Sequence, residues 1–241
     1  MKTRKLMVCL GLASAALIIA SNAHAYKAMD VTNGGSISGK ITFSGTAPAN
    51  PTLQITKDKD LCGNSIPADY YIVGVGGGLK NVVIAIENID KGKAYDEKNA
   101  VVLDNKDCMF TPHVATSVKG KKLGINNSDP VLHNTHLYQG EKMRTMYNIA
   151  LPLQNKVIKK KMKRDGIVTV KCDAHEWMLG YVYVAEHPYA TVSAADGSFT
   201  LKDVPPGDYK VKIWHEKLGE ITQDVSVAAG SAASLNYSFT Q

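Results

Sequence analysis

Along residues 26–241 the dominant hydrophobic period is two. Ile37, Ile41 and Phe43 alternate with small or polar residues, as do Tyr209, Val211 and Ile213 with lysines, and Leu235, Tyr237 and Phe239 near the end. A period of two puts one face of an extended chain in a core and the other in water, so these segments read as half-buried strands. Val82–Ile86 and Tyr181–Ala185 are instead continuous apolar runs, which suit strands covered on both faces. Asp196-Gly197 and Pro205-Pro206-Gly207-Asp208 supply turns between strands. No segment carries a long 3.6-residue pattern, and the best helix candidate is the stretch 139–150 around Met143, Met146 and Tyr147. The chain therefore reads as all-β. With 44% hydrophobic and 21% charged residues it has enough apolar side chains for a packed core and is neither disordered nor collagenous.

The first 25 residues read as a signal peptide. Lys2, Arg4 and Lys5 precede an apolar run from Leu6 to Ala20, and Ala23-His24-Ala25 forms a small-residue cleavage site. The mature chain is then expected to begin at Tyr26 and to be exported, to the periplasm or beyond. Removing those three basic residues takes the formal charge from +6 to +3. That mild balance, and the compartment, argue against nucleic acid as a partner.

Chemistry concentrates in Cys172-Asp-Ala-His175-Glu-Trp-Met178, directly after the strand-like Ile167 to Lys171. A thiolate, an imidazole and a thioether are soft or borderline donors, which suit copper and disfavour magnesium or calcium. His133, within Asn126-Asn-Ser-Asp-Pro-Val-Leu-His133-Asn134, can supply a second imidazole. Two His, one Cys and a weak axial Met form the donor set of a blue-copper site. A lone Cys, His or Met in a β-protein is more often packing than ligand, so the combination carries the reading. Zinc is the competitor, but structural zinc sites use Cys and His without a thioether.

Residues from about 101 to 185 resemble a cupredoxin, and within that family the small amicyanin, plastocyanin and pseudoazurin type. The resemblance is carried by Phe110-Thr-Pro112, Gly120, Asn127, His133-Asn134-Thr-His136, Gly166 leading into Val170-Lys-Cys172, and the short Cys-x-x-His-x-x-Met loop running into Leu179-Gly180-Tyr181-Val182. It implies a Greek-key sandwich over 100–187, a type 1 copper held by His133, Cys172, His175 and Met178, and a His175 ring whose edge is the surface port for electrons. It also implies single-electron transfer with a c-type cytochrome or a periplasmic dehydrogenase, rather than catalysis. His136 does not bind the metal in that family. His113 and His136 are each read first as satisfied surface or core histidines, with a role behind the metal ligands or in another metal site as the alternative.

Around this region, Asp196 to Trp214 resembles the later strands of carboxypeptidase-regulatory-like, transthyretin-like sandwiches, and Ile37 to Gly45 resembles their first strand. Residues 33–98 are thus expected to pair with 188–241, with the copper region inserted between them. Cys62 and Cys108 remain once the signal cysteine and Cys172 are set aside. In an exported chain they are most simply disulfide-bonded, the alternative being two reduced core residues. The run Lys159 to Arg164 reads as a solvated hairpin tip, with docking to an acidic partner as the sharper alternative. Two other functions stay open: a copper carrier or storage protein, and a surface binding module with a vestigial copper site.

Overall fold

The computed structural model describes residues 26–240, so the signal-peptide expectation lies outside the described residues. The fold is all-β. Among the described residues no helix is long and apolar enough to cross a membrane.

Two β-sandwiches account for most of the strands, with two further two-stranded pairs, Lys27–Ala28 with Lys91–Gly92 and Thr52–Gln54 with Ser65–Pro67, outside them. The central one pairs a four-stranded sheet, ordered Ile158–Lys161, Lys122–Asn127, Val102–Lys106, Met109–Thr111, with a five-stranded sheet, ordered Arg144–Leu151, His133–Gln139, Gly166–Lys171, Leu179–Ala185, Val114–Val118. Each sheet contains one parallel pair, Lys122–Asn127 with Val102–Lys106 and Leu179–Ala185 with Val114–Val118, so the chain crosses between sheets rather than meandering. The inward side chains Leu103, Phe110, Leu123, Ile125, Leu137, Val168, Val170, Val182 and Val184 fill its core.

The other sandwich is built from both ends of the described chain. Gly35–Phe43 runs antiparallel to Ser198–Val204 and parallel to Ala232–Ser234 and Tyr237–Phe239. The facing sheet is ordered Ala190–Val192, Val83–Ile86, Gly207–His215, Gly219–Val227. A Cβ on Gly39 would lie 1.7 Å from the Leu235 carbonyl oxygen, so only glycine lets the last strands lie this close.

The two continuous apolar runs explain themselves here. Ile84 and Ile86 point into the terminal core, whereas Val83 and Ala85 meet Val114, Tyr181, Tyr183 and Trp214 of the interface. Val182 and Val184 likewise point into the central core. Each run is covered on both faces because the two sandwiches pack sheet against sheet. The interface also buries His113 against Glu216, with side chains 5% and 1% exposed.

Three expectations need correction. The 139–150 stretch is not helical: Gly140–Met143 forms a turn, and Arg144–Leu151 is a strand paired along His133–Gln139. Ile149 and Leu151 face inward at a spacing of two, and cross-strand pairing overrides weak helical periodicity. The basic run is only partly a turn, because Ile158–Lys161 is an edge strand on Lys122–Asn127 and Met162 is fully buried. Lysines on such an edge oppose pairing with a second chain. Finally, the stretch 52–67, placed by sequence with the terminal sandwich, packs elsewhere. Thr52–Gln54 pairs with Ser65–Pro67, the one-turn helix Lys59–Cys62 lies between them, and Leu53, Ile55, Cys62 and Ile66 pack on the central core.

Candidate metal centre

His133 opens its strand, and Cys172 follows the end of the adjacent Gly166–Lys171 strand, so pairing within one sheet brings their side chains together. The loop 172–178 then folds on itself, with the His175 N–H donating to the Cys172 carbonyl at 3.3 Å and the Met178 N–H to the His175 carbonyl at 3.0 Å. Asn134 clamps that loop. Its Oδ1 accepts from the N–H groups of Asp173 (2.6 Å) and Ala174 (3.2 Å), and its own N–H donates to Cys172 Sγ at 3.4 Å.

Three donor atoms converge. Cys172 Sγ lies 3.9 Å from His133 Nδ1 and 3.6 Å from His175 Nδ1, and the two Nδ1 atoms are 2.9 Å apart. All three residues are buried. Around a transition metal with bonds of about 2.0–2.1 Å to nitrogen and about 2.3 Å to sulfur, nitrogen and sulfur ligands sit roughly 3.6–3.8 Å apart, so the spacing fits.

The outer partners decide what these rings can do. His133 Nε2 faces Asp129 Oδ2 at 2.9 Å, and His175 Nε2 faces Asp58 Oδ2 at 2.7 Å. Ionised carboxylates only accept, so each imidazole donates its Nε2–H and turns an Nδ1 lone pair inward. Two inward lone pairs at 2.9 Å repel unless a cation or proton lies between them. Asp129 is itself fixed, accepting from the N–H groups of Asp107 and Cys108, both at 2.9 Å.

Burial pushes the His133 pKa down, partly opposed by Asp129. It pushes the Cys172 thiol up, opposed by the backbone N–H groups of Asn134, Ala174 and His175. A thiol that binds a metal must lose its proton, so a metal taken up here would displace that proton.

Met178 is fully buried in the central core. The Trp177 indole donates to the Cys108 carbonyl at 3.1 Å, and its ring lies 4.9 Å from that of His175. It walls the site rather than projecting from it. Cys62 and Cys108 are disulfide-bonded, leaving Cys172 as the free cysteine among the described residues. A second possible grouping, Cys108 with Asp129 and His133, therefore offers a disulfide sulfur in place of a thiolate.

One implication of the resemblance is overturned. The His175 ring edge is not at the surface: its side chain is 0% exposed, covered where Asp58 and the 52–67 segment come over it. His113 and His136 stand apart from the convergent group. His113 faces Glu216 across the interface, and His136 stacks on Tyr138 with its Nδ1 3.0 Å from the Asp173 carboxylate. Sequence reasoning missed both Asp58 and Asp129. Asp129 lies four residues before His133 and was open to inspection, whereas Asp58 lies 117 residues from its partner.

A family described as polysaccharide lyase family 4, domain II, matches residues 165–235, a span that starts in the central sandwich and ends in the terminal one. No curated protein matches the chain. Among solved structures, a purple cupredoxin from Nitrosopumilus maritimus is 18% identical over 36% of this chain and 100% of its own, with a TM-score of 0.31. Amicyanin from Paracoccus versutus is 17% identical over 42% of this chain and 96% of its own, with a TM-score of 0.32. A copper-containing nitrite reductase from Thermus scotoductus is 17% identical over 35% of this chain and 22% of its own, with a TM-score of 0.29.

Proposed function

We propose that the protein holds one copper ion through His133, Cys172 and His175, with Met178 as a weak fourth donor, and passes single electrons between redox proteins. The observation that supports this most is the pair of imidazole Nδ1 atoms at 2.9 Å beside a buried cysteine sulfur, each ring committed by its Nε2–H to a carboxylate. Copper, when bound to such donors, supplies a one-electron couple. The chain's own residues supply rigidity. Asn134 holds the loop and donates to the sulfur, Asp129 and Asp58 hold the rings, and Trp177 excludes water, so little has to move when charge changes.

The role is that of a carrier rather than a catalyst, with a c-type cytochrome or a periplasmic dehydrogenase as partner. The leader-like residues 1–25 support a location in the periplasm or outside the cell. Burial of all three donors favours a resident ion over one handed on to a recipient.

The test is optical. The mature chain with Cu(II) should show an intense, reversibly bleached thiolate-to-copper band at one equivalent. Cys172→Ser should abolish the band while circular dichroism stays unchanged. A band that survives in that variant, or never forms in the parent protein, removes the assignment.

A further inference from the structure

The 52–67 segment reaches the metal centre from outside the strands that carry the ligands, and it delivers one charged atom there. Asp58 Oδ2 lies 2.7 Å from His175 Nε2, and the Asp58 side chain is 31% exposed while the imidazole is wholly buried. The surroundings fix the aspartate. Its carbonyl accepts from the N–H groups of Leu61 (3.0 Å) and Cys62 (2.9 Å), and Cys62 is bonded to Cys108. The Cys108 N–H in turn donates to Asp129, the carboxylate that holds the other imidazole. One disulfide therefore ties together the two carboxylates that orient the two histidines.

We infer that Asp58 is the positioning residue for His175: it holds the ring in the Nε2–H tautomer with Nδ1 turned inward, and it makes that ring a stronger donor to an oxidised ion than to a reduced one. The second half rests on the copper reading above; the first half does not. Physically, a carboxylate hydrogen-bonded to a ligand imidazole raises its basicity, and the added negative charge stabilises the more positive metal state. Among the described residues the ring's other hydrogen-bonding and aromatic neighbours are Cys172, His133 and Trp177, and none of them takes the Nε2–H.

The choice of variants follows from the backbone. Asp58 has φ 52°, in the left-handed region, where Asn and Gly are tolerated and Ala is strained. Asp58→Asn keeps an acceptor without the charge. Asp58→Gly removes both. Asp60→Gly, on the same one-turn helix and exposed, is the control for a merely structural effect.

In the metal-free protein, nitrogen NMR of the imidazoles should show His175 protonated at Nε2 in the parent and Asp58→Asn, with any proton between the two Nδ1 atoms shared with His133, and a tautomer mixture in Asp58→Gly. With copper, competition against chelators should show about a 10- to 100-fold loss of Cu(II) affinity in Asp58→Gly. Cu(I) affinity should fall less, and each tenfold difference between the two losses reads as a rise of about 59 mV in potential. Asp58→Asn should recover the tautomer but not the potential. An unchanged tautomer in Asp58→Gly, or equal losses in Asp60→Gly, overturns the assignment. If the parent protein shows no thiolate-to-copper band, the copper reading fails, and the tautomer measurement still decides whether Asp58 positions the ring.

Discussion

The two sandwiches bury different things. Between its sheets the terminal one holds mainly Ile, Val, Leu and aromatic side chains, among them Ile37, Ile41, Ile84, Phe199, Val211 and Ile213. The central one adds a connected polar set toward one end: Asn105, Asn126, Asn127, Asp129, His133, Thr135, Cys172 and His175 are all buried. These groups are bonded to one another. Asn105 Nδ2 donates to Thr135 Oγ1 at 3.0 Å, and Asn127 takes the Asp129 N–H at 3.0 Å while donating to the Val131 and Leu151 carbonyls. Buried polar groups cost stability unless satisfied, and Asn105 Oδ1 and Asn126 Oδ1 find no partner among the described residues, so this sheet end is not arranged to maximise packing. The terminal sandwich is a frame; the central one gives up apolar burial for geometry.

If this division is right, breaking the Cys62–Cys108 bond should injure one sandwich only. The bridge spans 46 residues, and chain entropy puts its contribution at about 4 kcal/mol. Cys62→Ala with Cys108→Ala should therefore destabilise the central sandwich by up to about that amount and leave the terminal one nearly untouched. Amide hydrogen exchange at buried strand positions, Val168 and Val182 in the central core against Val211 and Ile213 in the terminal one, reports each unfolding transition separately. Equal shifts in both transitions would mean that the sandwiches unfold as one unit.

The next effect runs the other way. Burial pushes the His215 pKa down to about 4, so this terminal-sandwich histidine is neutral in the fold. The unfolded chain takes up a proton near pH 6.5 and the folded chain only near pH 4. Stability is thus full above pH 6.5, declines as pH falls across that window and levels off below it, by about 3 kcal/mol in total. Urea unfolding followed by circular dichroism between pH 7 and pH 4 should show the decline, and His215→Phe should flatten it. A parent protein with no slope in that window would show that His215 is not held neutral.

The smallest effect concerns the basic edge. Lys160 and Lys163 lie over the Tyr147 ring at the margin of the central sandwich. Replacing Lys160, Lys161 and Lys163 with Gln should change stability by no more than about 0.5 kcal/mol. It should slow association with an acidic c-type cytochrome and flatten the salt dependence of that rate. Stopped-flow rates that match the parent at every ionic strength would leave the lysines as edge protection alone.

Much of the architecture is legible in the sequence because it rests on short-range patterns. Alternation at Tyr209, Val211 and Ile213 predicts a strand with one buried face, and the unbroken run Val82–Ile86 predicts a strand covered twice. The Cys172 to Met178 loop is legible for the same reason, since its donors are separated by a few residues and preceded by a strand. Asp58 is not legible, because nothing local distinguishes it from any exposed aspartate ahead of a turn; its role exists only once Leu53, Ile55 and Ile66 have packed on the central core. The same packing hides the His175 ring, which family resemblance alone places at the surface. The Arg144–Leu151 strand is not legible because its partner, not its own pattern, sets its conformation.

The terminal sandwich has a consequence for the order of assembly. Its first long strand, Gly35–Phe43, bonds early to Gly78 and Leu79 but finds its partner strands only at the far end of the chain; the Lys40 N–H donates to the side chain of Asn236, 196 residues away. During synthesis or export from the N-terminus, every strand of the central sandwich emerges before Ser198–Val204, Ala232–Ser234 and Tyr237–Phe239 can close the frame around Gly35–Phe43. The Cys172–Met178 loop and the Cys62–Cys108 bridge therefore emerge while the first strand still lacks its partner strands, and a chain cut short before residue 232 would lose part of its frame and keep the convergent His133, Cys172 and His175.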